Sequence, residues 1–151
     1  ILSHYDGGEF AFVDYFAIDG NQKGKGLGSK MLKHFMETAG KPVILEVEHP
    51  EDEQSRRRIA FYQRNGLVLN DQHDYFVPPV RNLKHRLYFH LMSYPTEIDA
   101  LQFERYYPQI LQLVYGVNEH ECIDRSIKSS QIYNIKSIIF LFRLYFLTLA
   151  F

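Results

Sequence analysis

Glu46 and Glu48 alternate with Leu45 and Val47 in the run Leu45-Glu46-Val47-Glu48. In an extended chain alternate side chains share a face, so both carboxylates project together. A strand inside an α/β domain is ordinarily apolar on both faces. Two carboxylates on one face therefore point to a site that binds a cationic amine or takes a proton from it. The same pair could instead lie at the open end of a sheet, or be held by Arg56, Arg57 or Arg58. Asp14, in the preceding apolar run, is another candidate base. His49 follows the pair but alternates to the opposite face, and the seven histidines show no metal-ligand spacing, so no metal is expected.

A second chemical signal is Gln22-Lys23-Gly24-Lys25-Gly26-Leu27-Gly28-Ser29. Glycines let a backbone turn sharply and approach a ligand closely. The first N–H groups of a helix lack partners, and the helix dipole favours an anion beside them. Lys23 and Lys25 add positive charge, so the ligand expected here is a phosphate or pyrophosphate. No register of the stretch supplies G-x-x-x-x-G-K-[ST]. Against the dinucleotide pattern G-x-G-x-x-G, the third glycine comes one residue early.

The elements around these residues follow from turn signals and periodicity. Asp6-Gly7-Gly8 separates two strand-forming runs, Ile1 to Tyr5 and Glu9 to Ile18, and predicts a β-hairpin. Leu27, Met31, Leu32, Phe35, Met36 and Ala39 have helical spacing, and Gly40 and Pro42 end the helix. Val43 to Glu48 is a strand. Pro50 and Glu51-Asp52-Glu53 open a second helix that closes at Asn65-Gly66. Leu67 to Asp71, Asp74 to Val80 and Leu87 to Met92 read as strands, with Pro78-Pro79 at an edge or break. A last helix is expected over Thr96 to Tyr115, capped by Thr96 and Asp99, with Pro108 kinking or splitting it.

The 151 residues suffice for one domain with a core. A net charge of −1 argues against a global pull onto nucleic acid, and Arg56-Arg57-Arg58 are expected to form intrahelical ion pairs with Glu51-Asp52-Glu53. The lone Cys122 allows no internal disulfide and fits a cytoplasmic setting. The apolar tail, Ile132 to Phe151, is interrupted by Lys136 and Arg143 and is too broken for a membrane anchor. A homodimer is left open.

The spacing Lys23-x-x-Gly26-x-Gly28 resembles the [Arg/Gln]-x-x-Gly-x-[Gly/Ala] pyrophosphate loop of the GNAT superfamily of N-acetyltransferases. Leu45-Glu46-Val47, followed by Ile59-Ala60-Phe61-Tyr62-Gln63-Arg64-Asn65-Gly66-Leu67, is similar to that family's L-E-V … Ile-Ala-Phe-Tyr-x-x-x-Gly-Phe segment. The resemblance runs from Ile1 to about Tyr115. It divides the chain into an acetyltransferase domain, 1–116, and a C-terminal tail, 117–151. The chain opens on what resembles the family's third strand, so the domain is expected to be incomplete at its N-terminus.

The resemblance implies an α/β (α+β) fold with a mixed, largely antiparallel sheet flanked by helices. It implies acetyl transfer from acetyl-CoA to a primary amine by direct attack in a ternary complex. Phe16, Ala17 and Ile18 would hold the pantetheine arm. Lys23, Gly24, Lys25, Gly26, Leu27, Gly28 and Ser29 would hold the pyrophosphate. A CoA phosphate offers one of Arg56, Arg57 and Arg58 an alternative partner. Tyr62 would protonate the leaving thiolate; Glu46 and Glu48 are the base candidates that the strand alternation offers. Phe61, beside Tyr62, is expected in the core. A CoA- or nucleotide-binding module without catalysis is the alternative reading, and a non-enzymatic interaction protein is a further one.

Overall fold

The computed structural model describes residues 1–22, 24–78 and 86–118. Strand β1 (Leu2–Asp6) and strand β2 (Ala11–Phe16) form the expected hairpin. Asp6 stabilises its turn by accepting from the Gly8 N–H at 2.8 Å. Helix α1 (Leu27–Thr38) follows the glycine-rich turn, and strand β3 (Val43–Glu48) follows α1. Helix α2 (Glu53–Arg64) starts at Asp52, which accepts from the Ser55 N–H at 2.7 Å, while Ser55 Oγ accepts from the Asp52 N–H at 3.2 Å. The reciprocal bonds satisfy two N–H groups that a helix start otherwise leaves open.

Strands β4 (Val68–Asn70) and β5 (Phe76–Val77) are shorter than the runs that predict them, and β6 (Leu87–Tyr94) starts where expected and runs on past Met92 to Tyr94. Helix α3 (Ala100–Ile110) begins four residues after Thr96, with Asp99 as its cap: Asp99 accepts from the Gln102 N–H at 2.8 Å. The Thr96 carbonyl instead accepts from the Ser93 hydroxyl at 2.6 Å. Pro108 does not split the helix. The regular turns run on to Ile110 and then widen into a π-helical segment, Leu111–Tyr115, ended by Gly116 at φ 70°. Proline removes only its own donor, and the residues after it keep theirs, so the helical turns continue past it.

The sheet order is β1-β2-β3-β6-β4, with β5 on β6. Among the described strands only β2 and β3 run parallel. Strand β3 is central, and its alternation loads both faces of the sheet. Val43, Leu45 and Val47 join Leu32 and Met36 of α1 and Ile59 and Tyr62 of α2. Ile44 joins Phe12, Leu91, Tyr107 and Ile110 on the α3 side. Asn70, fully buried, ties β4 to β6 and to the segment before α3. Its amide donates to Ser93 Oγ at 2.9 Å, and its oxygen accepts from the Ile98 N–H at 2.7 Å.

Strand β2 carries a bulge. Tyr15 pairs with Ser3 and Val13 with His4, so Asp14 has no opposite residue on β1. The extra residue shifts the alternation, and Ala11, Val13 and Phe16 all reach the α1/α2 core. Bulges bend a strand and end its pairing on one side. Here β2 pairs with β3 only through Ala11–Val43, Phe12–Ile44 and Val13–Leu45, although both strands continue for three more residues.

Candidate active site

The gap between β2 and β3 opens beside the start of α1. Gly26 caps α1 at φ 71°, in the left-handed region, and its carbonyl accepts from the Lys30 N–H at 3.1 Å. The Leu27, Gly28 and Ser29 N–H groups come before that first intrahelical bond. Among the described residues no side chain caps the helix start. A Cβ at Gly26 would meet nothing within 4 Å, so it is the backbone sign that calls for glycine there. Gly28 serves a different purpose. A Cβ there would lie 3.3 Å from Ile18 Cγ1, 3.5 Å from Phe61 Cζ and 3.8 Å from Phe16 Cζ. Its missing side chain lets α1 approach β2 and α2.

These features enclose a pocket of about 420 Å³. Phe16, Ala17 and Ile18 form one wall, and Gly24, Gly26, Leu27, Gly28 and Ser29 another. Gln22 and Phe61 also line it, and neither is among the sequence candidates for the site. Leu27 is 39% exposed and borders the pocket instead of entering the core. Lys25 Nζ donates to Gln22 Oε1 at 3.0 Å. Lys23 lies outside the described residues, as do Cys122 and the rest of 119–151.

The Ala17 N–H and carbonyl are both bonded to Ile1, at 2.9 and 2.7 Å. Peptide groups of neighbouring residues in an extended strand point to opposite edges. Phe16 and Ile18 therefore turn theirs away from β1, toward the gap.

The Tyr-Phe pair is arranged the reverse of what its sequence suggests. Ser55, Arg58, Ile59 and Tyr62 are the buried stripe of α2, at i, i+3, i+4 and i+7. That spacing sets Phe61 one position off the stripe, on the pocket. Tyr62 is 3% exposed and sits behind the pocket wall, its ring centroid 6.5 Å from that of Phe16 and 5.4 Å from that of Phe61.

The two glutamates have different surroundings. Glu48 Oε2 accepts from Arg58 Nη1 at 2.8 Å, and the arginine side chain is 2% exposed. Arg58 thus leaves the acidic helix start to its neighbours: Arg57 pairs with Glu53, and Arg56 donates to the Pro50 and Glu51 carbonyls. Glu46 is the first β3 residue beyond the last β2–β3 pair, and it accepts from two phenols. The Tyr75 hydroxyl donates to Oε1. The Tyr115 hydroxyl contacts both oxygens, at 3.0 and 2.8 Å. Neither tyrosine is singled out by the sequence, because both depend on contacts between distant elements.

His90 on β6 pairs in register with Val47, and its ring centroid lies 3.9 Å from that of His49. Its Nδ1 is buried without a hydrogen-bond partner. Burial pushes its pKa below the usual histidine range, the neighbouring His49 pushes it further, and Asp71 opposes the shift. Among the described residues, no group of three or more His, Cys, Asp or Glu side chains could hold a metal. No helix among them is long and apolar enough to cross a membrane.

A parallel pair that parts beside a helix start, on a sheet otherwise antiparallel, has counterparts among known proteins. Residues 1–67 match the acetyltransferase (GNAT) family. YjbC of Bacillus subtilis (strain 168), provisionally named an acetyltransferase, is 36% identical over 66 residues, which cover 42% of this chain and 34% of that protein. A solved structure from Bacteroides thetaiotaomicron, provisionally named a GNAT-family acetyltransferase, superposes with a TM-score of 0.69 at 35% identity. That alignment covers 78% of this chain and 66% of the other. The chain belongs to the GNAT superfamily. Its match spans about a third of the curated relative's length and about two thirds of the solved one.

Proposed function

We propose that this chain carries the cosubstrate-binding and transfer core of an N-acetyltransferase, which moves an acetyl group from acetyl-CoA to a primary amine. One observation carries the reading: the end of β2, beyond its last pair with β3, and the uncapped start of α1 border one pocket. Acetyl-CoA fits those residues. Its amide-bearing pantetheine arm can pair with the edge offered by Phe16 and Ile18, as an added strand does. Its pyrophosphate suits the N–H groups of Leu27, Gly28 and Ser29, with Lys23 and Lys25 supplying charge.

In the transfer, the amine nitrogen bonds to the acetyl carbonyl carbon, the C–S bond breaks, the amine gives up a proton and the thiolate gains one. A peptide N–H of Phe16 or Ile18 polarises the carbonyl. Tyr62 supplies the thiolate's proton; a phenol's ordinary pKa, near ~10, suits that task. Glu46 receives the amine's proton. Glu48, held by buried Arg58, keeps α2 in place against β3.

Calorimetric titration with acetyl-CoA, beside Ser29→Glu, tests the reading. The variant puts a carboxylate in the first turn of α1, where it supports the helix but repels a phosphate. Binding by the parent, loss in the variant, and N-acetylated product from a panel of primary amines are expected. Binding with no product from any amine would reduce the chain to a CoA-binding module. Absence of binding by the folded parent would remove the acetyltransferase reading.

A further inference from the structure

We infer that Tyr115 and Tyr75 are positioning residues for Glu46, and that the π-helical end of α3 is built to deliver one of them to the transfer site. The inference rests on the proposed acetyltransferase reading. Glu46 is a carboxylate beside Ile44, Phe12 and Leu91, each fully buried, while Glu48 on the same face of β3 is held by Arg58. A tie between sheet and helix there needs no charge, since apolar packing holds a sheet to a helix at least as well as a buried polar pair.

The geometry selects one orientation of the carboxylate. Tyr75, 1% exposed, approaches Oε1 from the segment before β5. Tyr115 spans both oxygens from the end of the π-helical segment that follows α3. Donors from two separate elements hold the group at the point where β2 leaves β3, which is where a fixed acceptor of a proton is of use. The widened turn of Leu111–Tyr115 is the means. Each residue of an α-helix advances about 100° around the axis, and a wider turn resets that angle for the residues that follow. Tyr115 closes the segment, so the π geometry sets where its hydroxyl points.

The experiment compares the parent with Tyr115→Phe, Tyr75→Phe, Glu46→Gln and the double variant Glu46→Gln/Tyr115→Phe. Acetyl-CoA serves as donor, with n-butylamine and 1,4-diaminobutane as acceptors. Each phenylalanine variant is expected to lower kcat roughly tenfold, on the scale of one hydrogen bond to a charged group. Acceptor KM and acetyl-CoA affinity should stay within about twofold. The double variant should be no slower than Glu46→Gln alone, because phenol and carboxylate act as one unit. A tyrosine with only a structural role would lower the melting temperature and leave kcat intact. That result, or losses that simply multiply in the double variant, would overturn the inference while the enzyme reading stands. No transfer by the parent to either amine would overturn both.

Discussion

Val13 and Leu45 are the last residues that β2 and β3 share. Beyond them the strands diverge, and the next residues, Asp14 and Glu46, are both acidic. The divergence has a local cause in the bulge at Asp14, which also turns Phe16 into the α1/α2 core and onto the pocket wall.

The close approach of α1 depends on Gly28. Gly28→Val is expected to destabilise the fold by about 1–3 kcal/mol through overpacking against Ile18, Phe61 and Phe16. It should also narrow the pocket and weaken acetyl-CoA binding. Denaturant unfolding and calorimetry read the two effects separately, and unchanged values in both would mean that α1 is free to shift.

Tyr62→Phe removes one hydroxyl from a ring buried between β2 and α2. Turnover is expected to drop on the order of 10²-fold, within the usual range for a lost acid. Acetyl-CoA affinity should change little. Turnover equal to that of the parent would exclude Tyr62 from protonating the thiolate.

Arg58→Ala leaves Glu48 without its partner and opens space beneath α2. Loss of a fully buried partner costs about 3–5 kcal/mol. Glu48 is 35% exposed, so water recovers part of that, and about 2–3 kcal/mol is expected. The double change Arg58→Met/Glu48→Leu should restore much of the loss. If it is no better than Arg58→Ala, the charge pair itself is indispensable.

His90 makes stability depend on pH. Its pKa is lowered in the folded state, chiefly by burial and then by His49. The unfolded chain therefore takes up a proton at higher pH than the folded one. The stabilising contribution is complete above the ordinary histidine value, about 6.5, and is lost as pH falls through the lowered folded value. Urea midpoints taken from pH 7.5 to 5.5 should fall, and His90→Phe should flatten that dependence. A parent midpoint independent of pH over this range would refute the assignment.

Much of the fold is legible because its signals are local. The caps and apolar stripes of α1 and α2, the Asp6-Gly7-Gly8 turn and the alternation in β3 each lie within a few residues. The glycine-rich turn is legible for the same reason. The bulge at Asp14 is not, because it is defined only by which residues of β1 lie opposite. The Glu46 phenols come from Tyr75 and Tyr115, so one strand's sequence cannot reveal them. The placement of Phe61 and Tyr62 was available in principle. Counting the stripe from Ser55 puts Tyr62 inside and Phe61 on the pocket, but the motif draws attention to the tyrosine.

The strand order also has a kinetic side. Val43 of the central strand pairs with Ala11 on one flank and with Tyr94 on the other, both remote along the chain. The β1–β2 and β5–β6 pairs can close by short-range contact, in microseconds. The ladder at the heart of the molecule must wait for the loop-closure entropy of two long excursions to be met. During that interval the run Val43-Ile44-Leu45 stands uncovered. The glutamates at 46 and 48 are then the charges that discourage it from pairing with another chain.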